Sequence, residues 1–403
     1  MNNFSKKAIR SCPICEEENV EIIHKQNFVL PDGHPLSNGY DVVCCDRCGF
    51  VYADTTVSQK DYDIFYANLS KYEDKKTATG GGDSPWDAQR LKKTAECIAE
   101  FLPDKNLRIV DIGCANGGLL GYLKELGYHN LCGLDPSPVC VENTKQLYGI
   151  EAYACSLFTI PENIGQFDLI ILSHVLEHIQ DIKLSLKFIK QLINTGGYLY
   201  IEVPNASGYA DHVFAPFQDF NTEHINHFSH PHLSNLFSQF GFDNQLAEEK
   251  VFDVSLGMSY PAIYGFWQKQ NHDLSEFVMA SDSHLKNRIL LYIDTSRKIM
   301  TEIDLKLQSV LEKSADVIVW GTGQLAMKLL SETSLAKANI VAFVDGNPIN
   351  QGKVISGITV LSPSQIESKN MQQPIVVTSI LSQSAIYNVI KKMNLANQVI
   401  LLG

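Results

Sequence analysis

No run in this 403-residue sequence approaches the roughly 18 consecutive apolar residues of a membrane-spanning helix. No apolar stretch follows Lys6, Lys7 and Arg10 either, so the pattern of a secretory signal is missing and a cytoplasmic location is expected. Positive charge is also in short supply. The 33 Lys and Arg residues face 45 Asp and Glu, a formal charge of -12, which argues against nucleic acid as a partner because backbone recognition needs a positive field. Low-complexity tracts and short repeats are absent too. What remains is the composition of a folded chain, 45% hydrophobic and 19% charged. Domains of about 100–200 residues make three units the expectation, and no membrane partner and a monomer are expected.

Strand and helix signals alternate along most of the chain. LRIVDIGCANGGLLGYLKELGY reads as strand, glycine-rich turn and amphipathic helix, and NLCGLDPS ends a second strand at Asp135. FDLIILS is a third strand before a helix expected near His178, and GGYLYIEVPN a fourth. Such alternation predicts an α/β fold with a parallel, doubly wound sheet. The polar, glycine-rich stretch from Lys71 to Asp87 reads as a linker, in which Tyr72 and Trp86 are candidates for a lid or for packing. A long mixed-charge helix is expected from Leu285 to Glu312, after which VIVWGTGQLAMKLL and NIVAFVDGNP begin a second, smaller α/β unit. The expected division is 1–70, 71–300 and 301–403.

Five of the ten cysteines precede residue 50. Cys12-Pro-Ile-Cys15 and Cys45-Asp-Arg-Cys48 are two C-x-x-C pairs, and two such turns can present four thiolates to one tetrahedral zinc ion. Cys44 is an extra candidate, but the paired spacing favours Cys45. A site with every position filled by protein is structural, so Zn2+ is expected to stabilise a small N-terminal domain. The remaining five cysteines sit among apolar neighbours and read as core fillers.

The turn Asp111-Ile-Gly113-Cys-Ala115-Asn116-Gly117-Gly118 lies where a strand hands over to a helix, a place where glycine lets a ligand approach the backbone. Asp135, ending the next strand, can accept hydrogen bonds from ribose hydroxyls. These residues describe a nucleoside-cofactor site without fixing the cofactor. His174-Val-Leu-Glu177-His178 matches the H-x-x-E-H zinc-protease pattern, but it continues a strand directly, so the two histidines should not share a helical face. Further on, FQDFNTEHINHFS places Glu223 beside His224, a pairing suited to general-base work near neutral pH. In the last unit, Gly321-Thr322-Gly323 and Asp345 nearly meet the dinucleotide fingerprint.

The series DIGCANG, GLDP and FDLIILSHVLEHI resembles that of class I methyltransferases. With the four cysteines, the EHxxxFS segment and the C-terminal VWGTGQLA unit, the chain resembles the nucleotide-sugar C-methyltransferases over nearly its whole length. The resemblance implies a class I methyltransferase core preceded by a zinc-binding domain and followed by a Rossmann-like domain. It implies S-adenosylmethionine as cofactor, with Asp111, Gly113 and Gly117 at its methionine part, Asp135 at the ribose and Ser156 and Leu157 at the adenine. Asn116, Pro136, Ser173 and His174 complete the implied set. It also implies methyl transfer to C3' of a dTDP-linked 4-keto-6-deoxy sugar, in branched deoxysugar biosynthesis. That chemistry needs a base to form an enolate. His224 and His178 are the candidates, with Glu223 as orienter. Asn221 stands where the family often has tyrosine and can hydrogen-bond the ketone or enolate oxygen. Two other readings stay open: methyl transfer to oxygen or nitrogen of a small metabolite, and a degenerate methyltransferase serving as a binding module.

Overall fold

The computed structural model describes residues 5–69, 84–270 and 278–403. The expected lid residue Tyr72 lies outside them. Two compact units make up the chain, and neither is continuous in sequence. The first comprises Met1–Ile22, Val43–His212 and Glu223–Arg288; the second comprises Ile23–Val42, Val213–Thr222 and Ile289–Gly403. The units therefore interleave, unlike the three consecutive stretches read from the sequence.

The chain begins with strands β1 (Ser5–Lys7), β2 (Asn19–Asn27), β3 (Gly39–Cys45) and β4 (Val51–Asp54), followed by helices α1 (Gln59–Leu69) and α2 (Pro85–Phe101). The Ser84 side chain caps α2 by accepting from the Asp87 amide, and Pro85 opens its first turn. The expected linker thus ends at Ser84: Trp86 and Asp87 are helical, and Asp87 is buried.

Next come β5 (Arg108–Ile112), α3 (Gly118–Glu125), β6 (Asn130–Asp135), α4 (Pro138–Tyr148), β7 (Glu151–Ala154), β8 (Phe167–Ser173), α5 (Ile182–Leu192) and β9 (Ile193–Pro204). They are followed by β10 (Asn226–His227), α6 (His230–Ser238), β11 (Phe242–Ser255) and β12 (Met258–Lys269). Seven of these strands form one sheet in the order β11-β12-β9-β8-β5-β6-β7. Counted along the sheet's own strands from its β7 edge, the order is 3-2-1-4-5-7-6. The pairs from β7 through β9 are parallel, whereas β12 runs antiparallel to both β9 and β11. The order reverses between β5 and β8, and in doubly wound sheets the crevice at such a reversal holds the ligand. Central strands covered on both faces explain the unbroken apolar run of β8, whose Leu169, Ile170, Ile171 and Leu172 are fully buried. A second sheet runs β1-β2-β3-β4-β10.

The helix expected near His178 starts later. Leu176–His178 is a single 3₁₀ turn, and α5 begins at Ile182 behind Asp181, which accepts from the Leu184 amide at 3.0 Å. The carbonyls a helix would need are already taken: Leu176 and Ile179 accept from the Asn226 side chain, and Glu177 from the Ile225 amide.

The second unit contains most of α7 (Ser283–Leu311), close to the span read from sequence, then β13 (Asp316–Trp320), α8 (Gln324–Glu332), β14 (Asn339–Val344), β15 (Val354–Ile355) and β16 (Ile358–Leu361). It closes with α9 (Pro363–Ser368), β17 (Ile375–Val377), α10 (Gln383–Lys392) and β18 (Val399–Leu401). The sheet order β15-β16-β14-β13-β17-β18 is parallel except for the β15–β16 hairpin, a small doubly wound sheet. Asp345 accepts from the Thr322 amide at 2.9 Å and the Asn347 amide at 2.8 Å.

Candidate active site

The glycine turn lies at the C-terminal end of β5, on the switch-point crevice. Gly113 and Gly117 have φ of 78° and 80°, in the left-handed region where a Cβ is strained. A Cβ on Gly113 would also stand 2.7 Å from Val175 Cγ2, and one on Gly117 2.7 Å from Thr144 Cγ2. Ala115 tolerates φ of 47°, and its amide donates to Asp135 Oδ2 at 2.9 Å. The Ser137 amide holds the other Asp135 oxygen at 2.8 Å. The carboxylate is thereby fixed at the end of β6, with Pro136 half-buried beside it. Ser156 and Leu157 follow β7 and are buried, the Ser156 hydroxyl lying 3.2 Å from that of Thr159. Asn116 is fully buried and accepts from the Asn143 amide at 2.8 Å. Across the switch point, at the end of β8, the Ser173 hydroxyl is buried with no hydrogen-bond partner among the described residues. An orphaned hydroxyl and a turn with glycine at 113 and 117 are what a cofactor in this crevice would use. Gly117→Val is accordingly expected to weaken S-adenosylmethionine binding at least tenfold in calorimetry, while Gly118→Ala, inside the α3 helix, is the milder change.

Asp111 is wholly buried, and its carboxyl is pushed up to about 8, chiefly by burial and then by Asp135, with Arg90 partly offsetting both. A folded-state value above the unfolded one means that the native protein keeps a proton the unfolded chain has released. Stability therefore falls as pH rises from about 4 towards 8. Asp111→Asn is expected to raise the melting temperature of the ligand-free protein by several degrees at pH 8–9 and to leave it unchanged at pH 4. A gain at pH 4 as large as that at pH 9 would refute the burial argument.

His174 follows Ser173 with φ of 56°. Its imidazole bridges two carboxylates, Nδ1 to Glu177 at 3.2 Å and Nε2 to Glu202 at 3.2 Å. Burial alone would lower its pKa, but the two hydrogen bonds raise it above the usual histidine value. Glu202, at the end of β9, is fully buried and also accepts from Lys250 at 2.7 Å, Tyr200 at 2.7 Å and Thr94 at 3.2 Å. Burial would raise its pKa, yet Lys250, His174 and Arg90 together hold it well below the carboxylate range.

The Glu–His cluster gathers beside this network. His178 Nδ1 lies 3.0 Å from the Glu223 carbonyl; a carbonyl only accepts, so Nδ1 carries a hydrogen, and in the neutral ring Nε2 keeps the lone pair. The rings of His178 and His224 stand 4.9 Å apart at 65°. Glu223 is buried and accepts from the Tyr66 hydroxyl at 3.4 Å, and the Tyr66 ring packs edge-on to His178. Three of the four residues singled out for catalysis thus come together. The fourth, Asn221, belongs to the second unit, where its amide donates to the Gln218 carbonyl at 3.1 Å and its carbonyl accepts from Tyr40 at 2.8 Å. Sequence reasoning missed Tyr66, on α1, and Glu202; neither sits in a recognisable motif.

The cysteine pairs converge as expected. Cys12 and Cys48 Sγ are 3.6 Å apart, Cys15 and Cys45 Sγ 3.4 Å, and all four lie within 4.8 Å of one another, buried. Tetrahedral Zn–S bonds of about 2.3 Å separate sulfurs by about 3.8 Å, so the set fits zinc.

Residues 86–247 match the family model described as a methyltransferase domain. Residues 86–247 form a class I S-adenosylmethionine-dependent methyltransferase domain. The sheet has the α/β class I methyltransferase fold that the sequence led us to expect. Residues 313–401 match a model described as C2185-like, N-terminal. Among curated proteins, the mitochondrial ubiquinone biosynthesis O-methyltransferase of Rattus norvegicus is 29% identical over 30% of this chain and 37% of its own length. The Homo sapiens counterpart is 28% identical over 38% of this chain and 45% of its own. The chain thus spans less than half the length of these relatives. Among solved structures, the 1,6-didemethyltoxoflavin-N1-methyltransferase of Burkholderia thailandensis has a TM-score of 0.40 and 14% identity, covering 56% of this chain and 97% of that one. The methyltransferase domain includes the glycine turn, Asp135, the Glu–His cluster and Glu202. No helix among the described residues is long and apolar enough to cross a membrane.

Proposed function

We propose that the protein transfers a methyl group from S-adenosylmethionine to carbon, at C3' of a dTDP-linked 4-keto-6-deoxy sugar. The observation that carries this reading is the gathering of buried His178 and Glu223 with half-buried His224 and Tyr66 at the C-terminal edge of the methyltransferase sheet. A hydrogen on carbon leaves as a proton only when an adjacent carbonyl can take the charge and a positioned base takes the proton. The cluster offers imidazole and carboxylate to accept the proton, and the Tyr66 hydroxyl, once turned from Glu223, can donate to the oxygen. The resemblance over four segments supports the same acceptor.

Asp111, Gly113, Asn116, Gly117, Asp135, Pro136, Ser156, Leu157, Ser173 and His174 would hold the cofactor along the crevice. When bound, it supplies an electrophilic methyl on a sulfonium. The chain's part is to fix the acceptor carbon in line and to keep water away from it. The Zn2+ held by Cys12, Cys15, Cys45 and Cys48 would be structural.

Incubating the protein with S-adenosylmethionine and dTDP-4-keto-6-deoxyglucose should add one methylene to the sugar nucleotide by mass spectrometry. His178→Asn and His224→Asn are each expected to lower kcat by about 10² or more, the usual worth of a positioned proton-transfer group. The second reading, methyl transfer to oxygen, is favoured by the names of the O-methyltransferase relatives. Deuterium from solvent entering C3' in the presence of the enzyme separates the two, since transfer to a hydroxyl leaves carbon-bound hydrogen untouched.

A further inference from the structure

We propose that Glu177, His178 and His224 form a second metal site, taking a first-row divalent cation beside the acceptor. One ligand atom from each residue lies within 4.8 Å of the other two. Two imidazoles and one carboxylate are a donor set for such cations, and three ligands leave positions open for a substrate oxygen. The H-x-x-E-H run of the sequence contributes only its last two members, and His224, 46 residues on from His178, takes the third place in space.

The polar groups around the trio are arranged as a metal would need them. Glu177 Oε2 is buried and has no hydrogen-bond partner among the described residues, although a buried carboxylate oxygen left unmet costs free energy. Its Oε1 is held by His174, which is itself held by Glu202. His178 gives its Nδ1 hydrogen to the Glu223 carbonyl, so that Nε2 points away with its lone pair, and this Nε2 lies 3.9 Å from Glu177 Oε1. Metal-bound histidines are oriented in this way, with the far nitrogen donating to a backbone carbonyl or a carboxylate. The gaps exceed those in a filled site, so the side chains must draw in by about an ångström to meet bonds of about 2.0–2.2 Å. This metal differs from that of the four-cysteine centre, whose thiolates are saturated.

The role of the site rests on the acceptor reading above. Bound to the acceptor's oxygen, the cation would draw charge from the carbonyl and make the neighbouring C–H more acidic. With both imidazoles on the metal, the proton would go to Glu223 rather than to an imidazole, and the kcat loss expected of His178→Asn and His224→Asn would come from the lost cation.

The test uses the untagged, zinc-replete full chain, titrated with Co2+ and followed by visible absorption and by metal content after gel filtration. One equivalent of cobalt beyond the zinc, with the weak bands of nitrogen and oxygen ligation, is the expected result. Glu177→Gln and His178→Asn should each weaken that binding at least tenfold. His224→Asn, at a partly exposed position, repeats the test should a buried variant fail to fold. No cobalt taken up by the wild type, or undiminished uptake in the variants, overturns the site. The methylation assay is read separately. Cobalt binding without methyl transfer to the keto sugar leaves the site standing and refutes the acceptor, whereas full methylation by protein stripped of the second metal removes its Lewis-acid role.

Discussion

Cys45→Ser is expected to abolish zinc binding by the four-cysteine set and, with it, the order of the region from β1 to β4. Four convergent buried thiols have no apolar reason to meet, since each is a small group that would pack equally well alone. A bound ion changes this: structural zinc contributes about 10–16 kcal/mol in small domains, as much as the whole stability of a typical fold. Zinc content measured by a colorimetric chelator should fall from one ion per chain to near none. Thermal unfolding followed by circular dichroism should lose amplitude or shift down by more than about 10 °C. A wild type that purifies without zinc and melts identically with and without a chelator would sink this expectation.

The loss should reach the active site, because the same sheet holds the turn that carries His178. Arg10, two residues before Cys12, is buried and gives its guanidinium to the Ile179 carbonyl at 3.3 Å, the Gln180 carbonyl at 2.5 Å and the Asn226 side chain at 2.9 Å. Asn226 in turn ties the Leu176 and Ile179 carbonyls and sits on β10, paired with Tyr52 of β4. When the cysteine loops loosen, this clasp loosens too. Methyl transfer should therefore fail at chelator concentrations at which cofactor binding at the β5–β8 crevice survives.

How far the sequence reveals these features depends on how local their causes are. The β5 strand, its glycine turn and Asp135 were legible because a strand-to-helix handover writes its residues consecutively, with Gly113 and Gly117 required by backbone angles alone. The cysteine pairs were legible for the same reason. The start of α5 was not, because Asn226 and the Ile225 amide take the carbonyls that a helix beginning at His178 would have used. Nor was the interleaving of the units: nothing local in Ile23–Val42 or Val213–Thr222 assigns those segments to the second unit. Glu202 was invisible for a similar reason. It looks like one polar residue ending an apolar strand, while Arg90, His174 and Lys250, which give it a purpose, lie far away in sequence.

Glu202→Ala should therefore be one of the most damaging single changes outside the cysteines. The variant leaves Lys250 without its carboxylate beside a buried hole, and leaves Arg90 with Asp87 alone and His174 with Glu177 alone. Breaking a buried pair by removing one partner costs about 3–5 kcal/mol, since the remaining charge is stranded. The sign of the pH dependence follows from the two shifts. Glu202, depressed in the fold, contributes stability above the ordinary carboxylate value of 4.5, and that contribution is lost as pH falls through its lower native value. His174, raised in the fold, contributes below 6.5 and loses that contribution as pH rises through its higher native value. Both contributions are complete between about pH 4.5 and 6.5. Urea unfolding should show the largest gap between wild type and Glu202→Ala in that window, narrowing above it but not closing, because Arg90, raised in the fold, stays charged. Glu202→Gln should lie between the two, keeping the volume and a hydrogen-bond acceptor without the charge. A gap that does not vary from pH 4.5 to 9 would mean that the cavity, rather than the stranded charges, sets the cost.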